Sequence, residues 1–268
     1  MMRKTGKLIS VLILVMVMVS GCKSILKLTY KNNDFEWVNK DNIAKIIIQS
    51  TRDKGFRFVV TDEGTIKELY DSLSSAMPVD GKNPLAPDYI FEFNTYKNEV
   101  IKYYYTAGVT AEETLGNLYN DTDTYIVMNR IDNNIIKNLF ALRKPVDFKT
   151  GYYGALIEAI KAIRADYPEG TIGILLADDK EMLKYQLSFE IEEFIAKLAE
   201  LNAKIVTKNS EADIIAAPVT WGYKTNLYKA VLEVKSADSK TSKNYYIVNK
   251  YTNEAWTPEI SGTRPDGF

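Results

Sequence analysis

"YIFEFNTYKNEVIKYYY", residues 89 to 105, decides how the first half of this chain is read. Tyr89, Phe91 and Phe93 alternate with Ile90, Glu92 and Asn94, and beyond Lys97-Asn98 the residues Ile101, Tyr103 and Tyr105 alternate with Val100, Lys102 and Tyr104. Successive side chains of a strand point to opposite faces, so each apolar set lies on one face. The stretch therefore predicts an antiparallel hairpin with an aromatic inner face and a turn at Lys97-Asn98.

The surroundings extend this into a unit. Ile43 to Ser50 reads as a strand, and Phe56, Phe58 and Val60 form the inner face of another after a turn ending at Gly55. Ile66, Leu69, Tyr70, Leu73 and Met77 make one apolar stripe, predicting a helix over 62–77 capped by Thr61 or Asp62. Thr124 to Met128 is a further strand, and Ile131 to Leu142 a further helix with Ile135, Leu139 and Leu142 in phase. Hairpins with interspersed helices imply an α+β fold, an antiparallel sheet with helices on one face, over residues 41–144.

After Lys144-Pro145 the rhythm changes. Tyr153, Leu156, Ile157, Ile160 and Ile163 stripe a helix, and "TIGILLA", residues 171 to 177, is a continuous apolar run, as in a strand buried on both faces. A long helix is predicted over about 180–201, with Leu187, Ile191, Phe194, Leu198 and Leu201 facing the core and Asn202 just past its end. "AKIVT" and "ADIIAAP" add strands, so that 171–217 form a β-α-β crossover. Leu227 to Lys235 and Tyr245 to Asn249 form a hairpin, and the Pro- and Gly-bearing tail after Trp256 is irregular. Residues 145–268 thus read as an α/β unit.

The N-terminus has a different character. Arg3, Lys4 and Lys7 form a basic head, Leu8 to Val19 are apolar except for Ser10, and the small residues Ser20 and Gly21 precede Cys22, the single cysteine of the 268 residues. Basic head, short apolar run and small residues describe a secretory signal, 1–21, with cleavage between Gly21 and Cys22. The apolar run is shorter than the about 20 residues that a membrane-spanning helix needs. Val19-Ser20-Gly21-Cys22 resembles the lipobox of bacterial lipoproteins. The resemblance implies a diacylglyceryl group on the Cys22 sulfur and a membrane partner held through that lipid. Two acyl chains anchor stably where one does not. Residues 22–40 then read as a lipidated tether. Lys23 follows the cysteine, which favours the outer membrane in a two-membrane cell; in a one-membrane cell the protein sits on the extracytoplasmic face of the cell membrane. The layout also resembles small envelope lipoproteins of Gram-positive bacteria.

Composition narrows the chemistry. Removing residues 1–21 takes three of the 34 basic residues and none of the 35 acidic ones, which leaves 31 against 35, a net charge of −4. That balance argues against a nucleic-acid partner, whose phosphates need a basic patch. The chain has no histidine, so Ser-His-Asp and Cys-His catalysis and histidine metal sites are excluded. No cofactor or metal is expected. "NDTDT", residues 120–124, opens like a calcium loop but has Ile126 where glycine is required, and so reads as a turn.

Asp178 and Asp179, at the carboxyl end of the buried strand, are the first place to expect a ligand, since ligands gather there in parallel α/β sheets. The commoner arrangement for such a pair is one aspartate capping the helix and the other facing solvent. Trp221, in "PVTWG", is the aromatic least explained by packing. Glu190, Glu192 and Glu193 read as the solvated face of the long helix, with Glu193 and Lys197 as an i, i+4 pair. The reading is a membrane-anchored extracytoplasmic lipoprotein, a non-catalytic binding or assembly module at the bacterial envelope with an envelope protein or a small molecule as partner. Alternatives are a transporter's substrate-binding lipoprotein, with its ligand between the halves, and a carboxylate-dependent hydrolase of wall glycans.

Overall fold

The computed structural model describes residues 31–108, 114–127, 131, 136, 144–236 and 242–268. Gly21, Cys22, the signal segment and most of the expected 131–142 helix lie outside them, although Ile131 and Ile136 are described and both are buried. The architecture is α+β, two sheets with their helices.

The first sheet contains β1 (Ile43–Ser50), β2 (Arg57–Val60), β3 (Met77–Pro78), β4 (Tyr89–Thr95), β5 (Val100–Tyr105), β6 (Leu118–Tyr119) and β7 (Thr124–Ile126), in the order β2-β1-β4-β5-β6-β7-β3. The hairpin forms in the register its alternation requires. Tyr89 pairs with Tyr105, Phe91 with Tyr103 and Phe93 with Ile101 on the inner face, while Glu92 opposite Lys102 makes an outer ion pair of 2.8 Å. Asn98, with φ of 64°, takes the left-handed turn position that asparagine tolerates. On the other side of β4, Ile46 and Ile48 of β1 meet Phe93 and Phe91. Helix α1 (Glu63–Leu73) lays Ile66, Leu69 and Leu73 on this core, and its capping residue is Asp62, which accepts from the Thr65 N–H at 2.8 Å. The helix stops at Leu73, short of the expected Met77. Pro78 disfavours helical backbone at Met77, which pairs with Ile126 of β7 instead. Residues expected as tether also join this body: Phe35 and Val38 are fully buried, and Asn32 donates to the Ala76 carbonyl at 3.0 Å.

The second sheet contains β8 (Ile172–Ile174), β9 (Ala203–Ile205), β10 (Ile214–Lys224), β11 (Leu227–Ser236), β12 (Ser242–Thr252) and β13 (Ala255–Ser261), in the order β13-β12-β11-β10-β8-β9. β8 runs parallel to β9 and β10, and the remaining pairs are antiparallel. This is the expected β-α-β unit joined to a hairpin. Helix α2 (Ala155–Asp166) buries Leu156, Ile160 and Ile163 in the same core as Ile172, Ile174, Leu232 and Ile247. Asn202, φ 48°, turns the chain after α3 (Ser188–Ala199).

Three further expectations are corrected. Strand β8 ends at Ile174, and Leu176–Asp178 curl into a single 3₁₀ turn. The long helix starts only at Ser188, because 183–185 form a second 3₁₀ turn and Gln186 and Leu187 are extended, the Leu187 side chain belonging to the first core. The tail is no loop: Ala255–Ser261 is strand β13, joined to β12 by Asn253 and Glu254, both at positive φ. That two-residue turn suits the twist of a hairpin. Pro258 is tolerated because β13 is the sheet edge, where a missing N–H leaves no ladder bond unmade. No helix among the described residues is long and apolar enough to cross a membrane.

Candidate functional site

The residues singled out from sequence do not converge. Asp179 is buried (1 % exposed) and spent on structure: its carboxylate accepts from Thr220 Oγ1 at 2.8 Å, Tyr152 Oη at 3.1 Å and the Thr220 N–H at 3.2 Å. Burial lifts its pKa to about 6, and those donors hold it back. Asp178 faces solvent one residue away. Trp221 is the extra residue of a bulge in β10, where the register shifts between Thr220 and Gly222. It is 57 % exposed and packs on Phe268 at 5.9 Å, with the Arg264 guanidinium over its ring at 5.2 Å. No contact joins Trp221 to Asp179 among the described residues. "NDTDT" is a turn in which Asn120 Oδ1 accepts from the N–H groups of Thr122 and Asp123.

A different site emerges beside α2. The turn that leads into it, Lys149–Gly154, is π-helical, a rare form that concentrates at functional positions. The wide turn lets two consecutive tyrosines point inward. Tyr152 reaches Asp179, and Tyr153, 3 % exposed, faces α3 with its ring 5.0 Å from Phe194. Against Tyr153 lies Glu190, 8 % exposed, on the first turn of α3. Neither Tyr153 Oη nor Glu190 Oε2 has a hydrogen-bond partner. The two residues line a partly open cleft of about 70 Å³, with those oxygens sealed beneath its surface, and its walls also carry Lys149, Thr150, Glu193 and Lys197.

The electrostatics of this pair follow from burial. Desolvation raises the Glu190 carboxyl to a pKa of about 7; Lys144 and Lys149 oppose that rise, while Asp88 and Asp147 add to it. Burial likewise raises the Tyr153 phenol, and the Glu190 charge raises it further. At the mouth, Lys149 makes an ion pair with Glu193. The expected Glu193–Lys197 pair is therefore not the one formed, and Glu190 is not on a solvated face.

The cleft is fixed in place by the seam between the two sheets. Asp88, just before β4, accepts from Arg52 Nη1 at 2.6 Å, the Ala107 N–H at 2.8 Å and the Ser188 N–H at 2.8 Å. The last bond lets a carboxylate of the first half cap helix α3 of the second, complementing the partial positive charge of a helix start. Burial pushes the Asp88 carboxyl up, and Arg52 with the two backbone donors pulls it down. Arg52 also donates to Ser188 Oγ at 2.5 Å and to the Gln186 carbonyl at 3.3 Å. Phe189 packs against Gly108, where φ is 78° and an added Cβ would sit 2.1 Å from the ring. Residues 186–190 therefore run Gln186 to Arg52, Leu187 to the first core, Ser188 to Asp88, Phe189 to Gly108 and Glu190 to the cleft.

Residues 39–145 match the family described as YhfM protein. The match spans the first sheet with Arg52 and Asp88, and ends at Pro145, before the π-helical turn and α3. No curated protein and no solved structure matches the chain.

Signals for the missed residues were present. Glu190 stands three residues after Leu187 and four before Phe194, inside the apolar stripe that predicted the helix. A glutamate on such a stripe is either buried or the stripe is wrong. Tyr153 was legible as a core residue but not as the owner of an unpartnered hydroxyl, which only the three-dimensional packing decides.

Proposed function

We propose that this chain is a bacterial envelope lipoprotein, tethered by lipid on Cys22, whose extracytoplasmic body binds a small polar ligand without converting it. The observation that supports the binding half is the partly open cleft between the π-helical turn and α3, lined by Lys149, Thr150, Glu190, Glu193 and Lys197 around Tyr153 and Phe194. Beneath its surface Glu190 Oε2 and Tyr153 Oη lack hydrogen bonds, at about 1–3 kcal/mol each, a cost that packing alone does not require beside a charged cleft. The lipid half rests on the lipobox and the basic and apolar zones before it.

The glycan-hydrolase reading has one observation in its favour, since Glu190 and Glu193 share the cleft and Glu190 has the raised pKa of a general acid. It loses on geometry, because Glu193 is engaged by Lys149 at the mouth and is not free to act as the second carboxylate.

Two measurements test the proposal. Metabolic labelling with a fatty-acid analogue should mark the wild-type protein and not Cys22→Ala, and equal labelling of both would remove the anchor. Thermal-shift screening with amino acids, sugars, nucleosides and polyamines should find a stabilising compound whose effect disappears in Glu190→Gln. A flat panel would remove the binding site.

A further inference from the structure

We infer that the outer face of the first sheet is a membrane-contact surface, lying against the anionic headgroups of the bilayer that holds the protein. This rests on the lipid anchor proposed above and adds a second, non-covalent contact to it.

The strand registers place the residues of this face. Arg57, Gln49, Ile90, Tyr104 and Tyr119 follow one another across β2, β1, β4, β5 and β6. They alternate with the residues that fill the core under α1, so they point the other way. Val59, Ile47, Glu92 and Lys102 form the neighbouring row. Val59 is 56 % exposed, and Val100, on the same face of β5, is 52 % exposed. Tyr104 and Tyr119 stack at 5.5 Å between strands. Tyrosines among aliphatic neighbours suit the boundary between headgroups and acyl chains.

Charge selects the occupant. Lys45, Arg57 and Lys102 project from this face, and Lys82 sits over the Tyr119 ring at 5.0 Å. Glu92 is the one carboxylate among the strand residues that point the same way, and Lys102 takes it at 2.8 Å. Four cations against one carboxylate leave the face at +3, whereas the chain after residue 21 carries −4. Lys45, Arg57 and Lys82 have no carboxylate partner among the described residues. An acidic body is repelled by an anionic surface unless it presents such a face.

The tether sets the reach. Nine residue steps separate Cys22 from Lys31, at most about 32 Å of extended chain. Asn32, Phe35 and Val38 then dock on the first body, so the lipid holds this half of the molecule to the bilayer. An acidic protein would suit the same cations, but the tether keeps a bilayer within reach at all times.

The test uses the lipidated protein, purified from membranes of producing cells and reconstituted into vesicles of phosphatidylcholine, with or without an equal part of phosphatidylglycerol. Cys22 is the single cysteine, and lipid on its sulfur leaves no thiol. Val59→Cys therefore gives one labelling site on the face, and Val219→Cys, at an exposed position of the second sheet, gives a control. An environment-sensitive fluorophore at Val59→Cys should brighten on vesicles containing phosphatidylglycerol and not on phosphatidylcholine alone, while the Val219→Cys label stays unchanged. Arg57→Gln and Lys45→Gln should each lower the ratio of docked to free protein about fivefold, and high salt should abolish docking. A Val59→Cys label that responds equally on both vesicles, or on neither, overturns the inference. So does a label that is silent on vesicles and responds to added polyglutamate, which would assign the face to an acidic protein. If the wild-type protein itself takes up the thiol label, Cys22 is free, and the anchor and this inference fall together. An unlabelled wild type with a silent Val59→Cys label removes the membrane face alone.

Discussion

Replacing Glu190 by glutamine should shift stability relative to the wild type in the variant's favour as pH rises from 4.5 to 8. In the folded chain burial lifts the carboxyl from its ordinary 4.5 to about 7. Between those two values the folded state therefore holds more proton than the unfolded state. Stability then falls as pH rises through that window and levels off above 7. At about 1.36 kcal/mol per pH unit, the loss amounts to about 3 kcal/mol, or roughly 6–12 °C in melting temperature for a chain of this size. Glutamine does not titrate, so the variant escapes the loss. It keeps a polar group at the same place, and any constant penalty for the unpaired amide is the same at every pH. Asp179 also titrates in a raised range, near 6, but it does so in both proteins and cancels in the difference. The assay is urea unfolding of both proteins at pH 4.5, 6 and 8. A stability difference that does not change with pH would refute the burial of Glu190 as an uncompensated charge.

Other perturbations test the neighbouring structure. Thr220→Val removes the hydroxyl that donates to Asp179 at 2.8 Å; it should cost about 1–2 kcal/mol, and more at pH 7 than at pH 5, because the lost bond favours the ionised carboxylate. Arg52→Met leaves the buried Asp88 charge unpaired and should cost about 3–5 kcal/mol, with part recovered in the double variant carrying Asp88→Asn; denaturant melts of the three proteins give the coupling. Gly154→Ala, at φ −60° and ψ −43°, should stabilise by about 0.5–1 kcal/mol. Gly108→Ala should do the reverse by more than about 1 kcal/mol, because its φ is 78° and Phe189 occupies the space; differential scanning fluorimetry separates the two.

Local pattern carried most of the fold. The hairpin register, the Asp62 cap, the stripe of α2 and the turn at Asn202 each depend on residues within a few positions of one another, which is what periodicity and capping report. The errors fall where a distant partner overrides the local preference. Residues 183–187 have a helical apolar spacing, yet the seam with Arg52 and Asp88 holds them out of the helix. Strand β13 was hidden because Pro258 argues against a strand until the edge position is known. The site was less legible than the fold. The sequence marks Asp179 by its place after a buried strand, but its bonds to Thr220 and Tyr152 make it a structural brace. Glu190 and Tyr153 come together only because a π-helical turn and a helix start face each other, a geometry with no short-range sequence signature.

The seam through residues 186–190 bears on how the molecule comes apart. The composition change at Lys144-Pro145 suggests two bodies that could swing or melt independently. Yet the first turn of α3 draws its cap from Asp88, and Leu187 is counted among the side chains of the first core. Separating the sheets would uncap that helix, strip Arg52 of its partners and expose Leu187 in one event. Calorimetry should accordingly record a single cooperative transition with matching calorimetric and van't Hoff enthalpies, and a residue in the cleft would sense the integrity of a sheet it does not belong to.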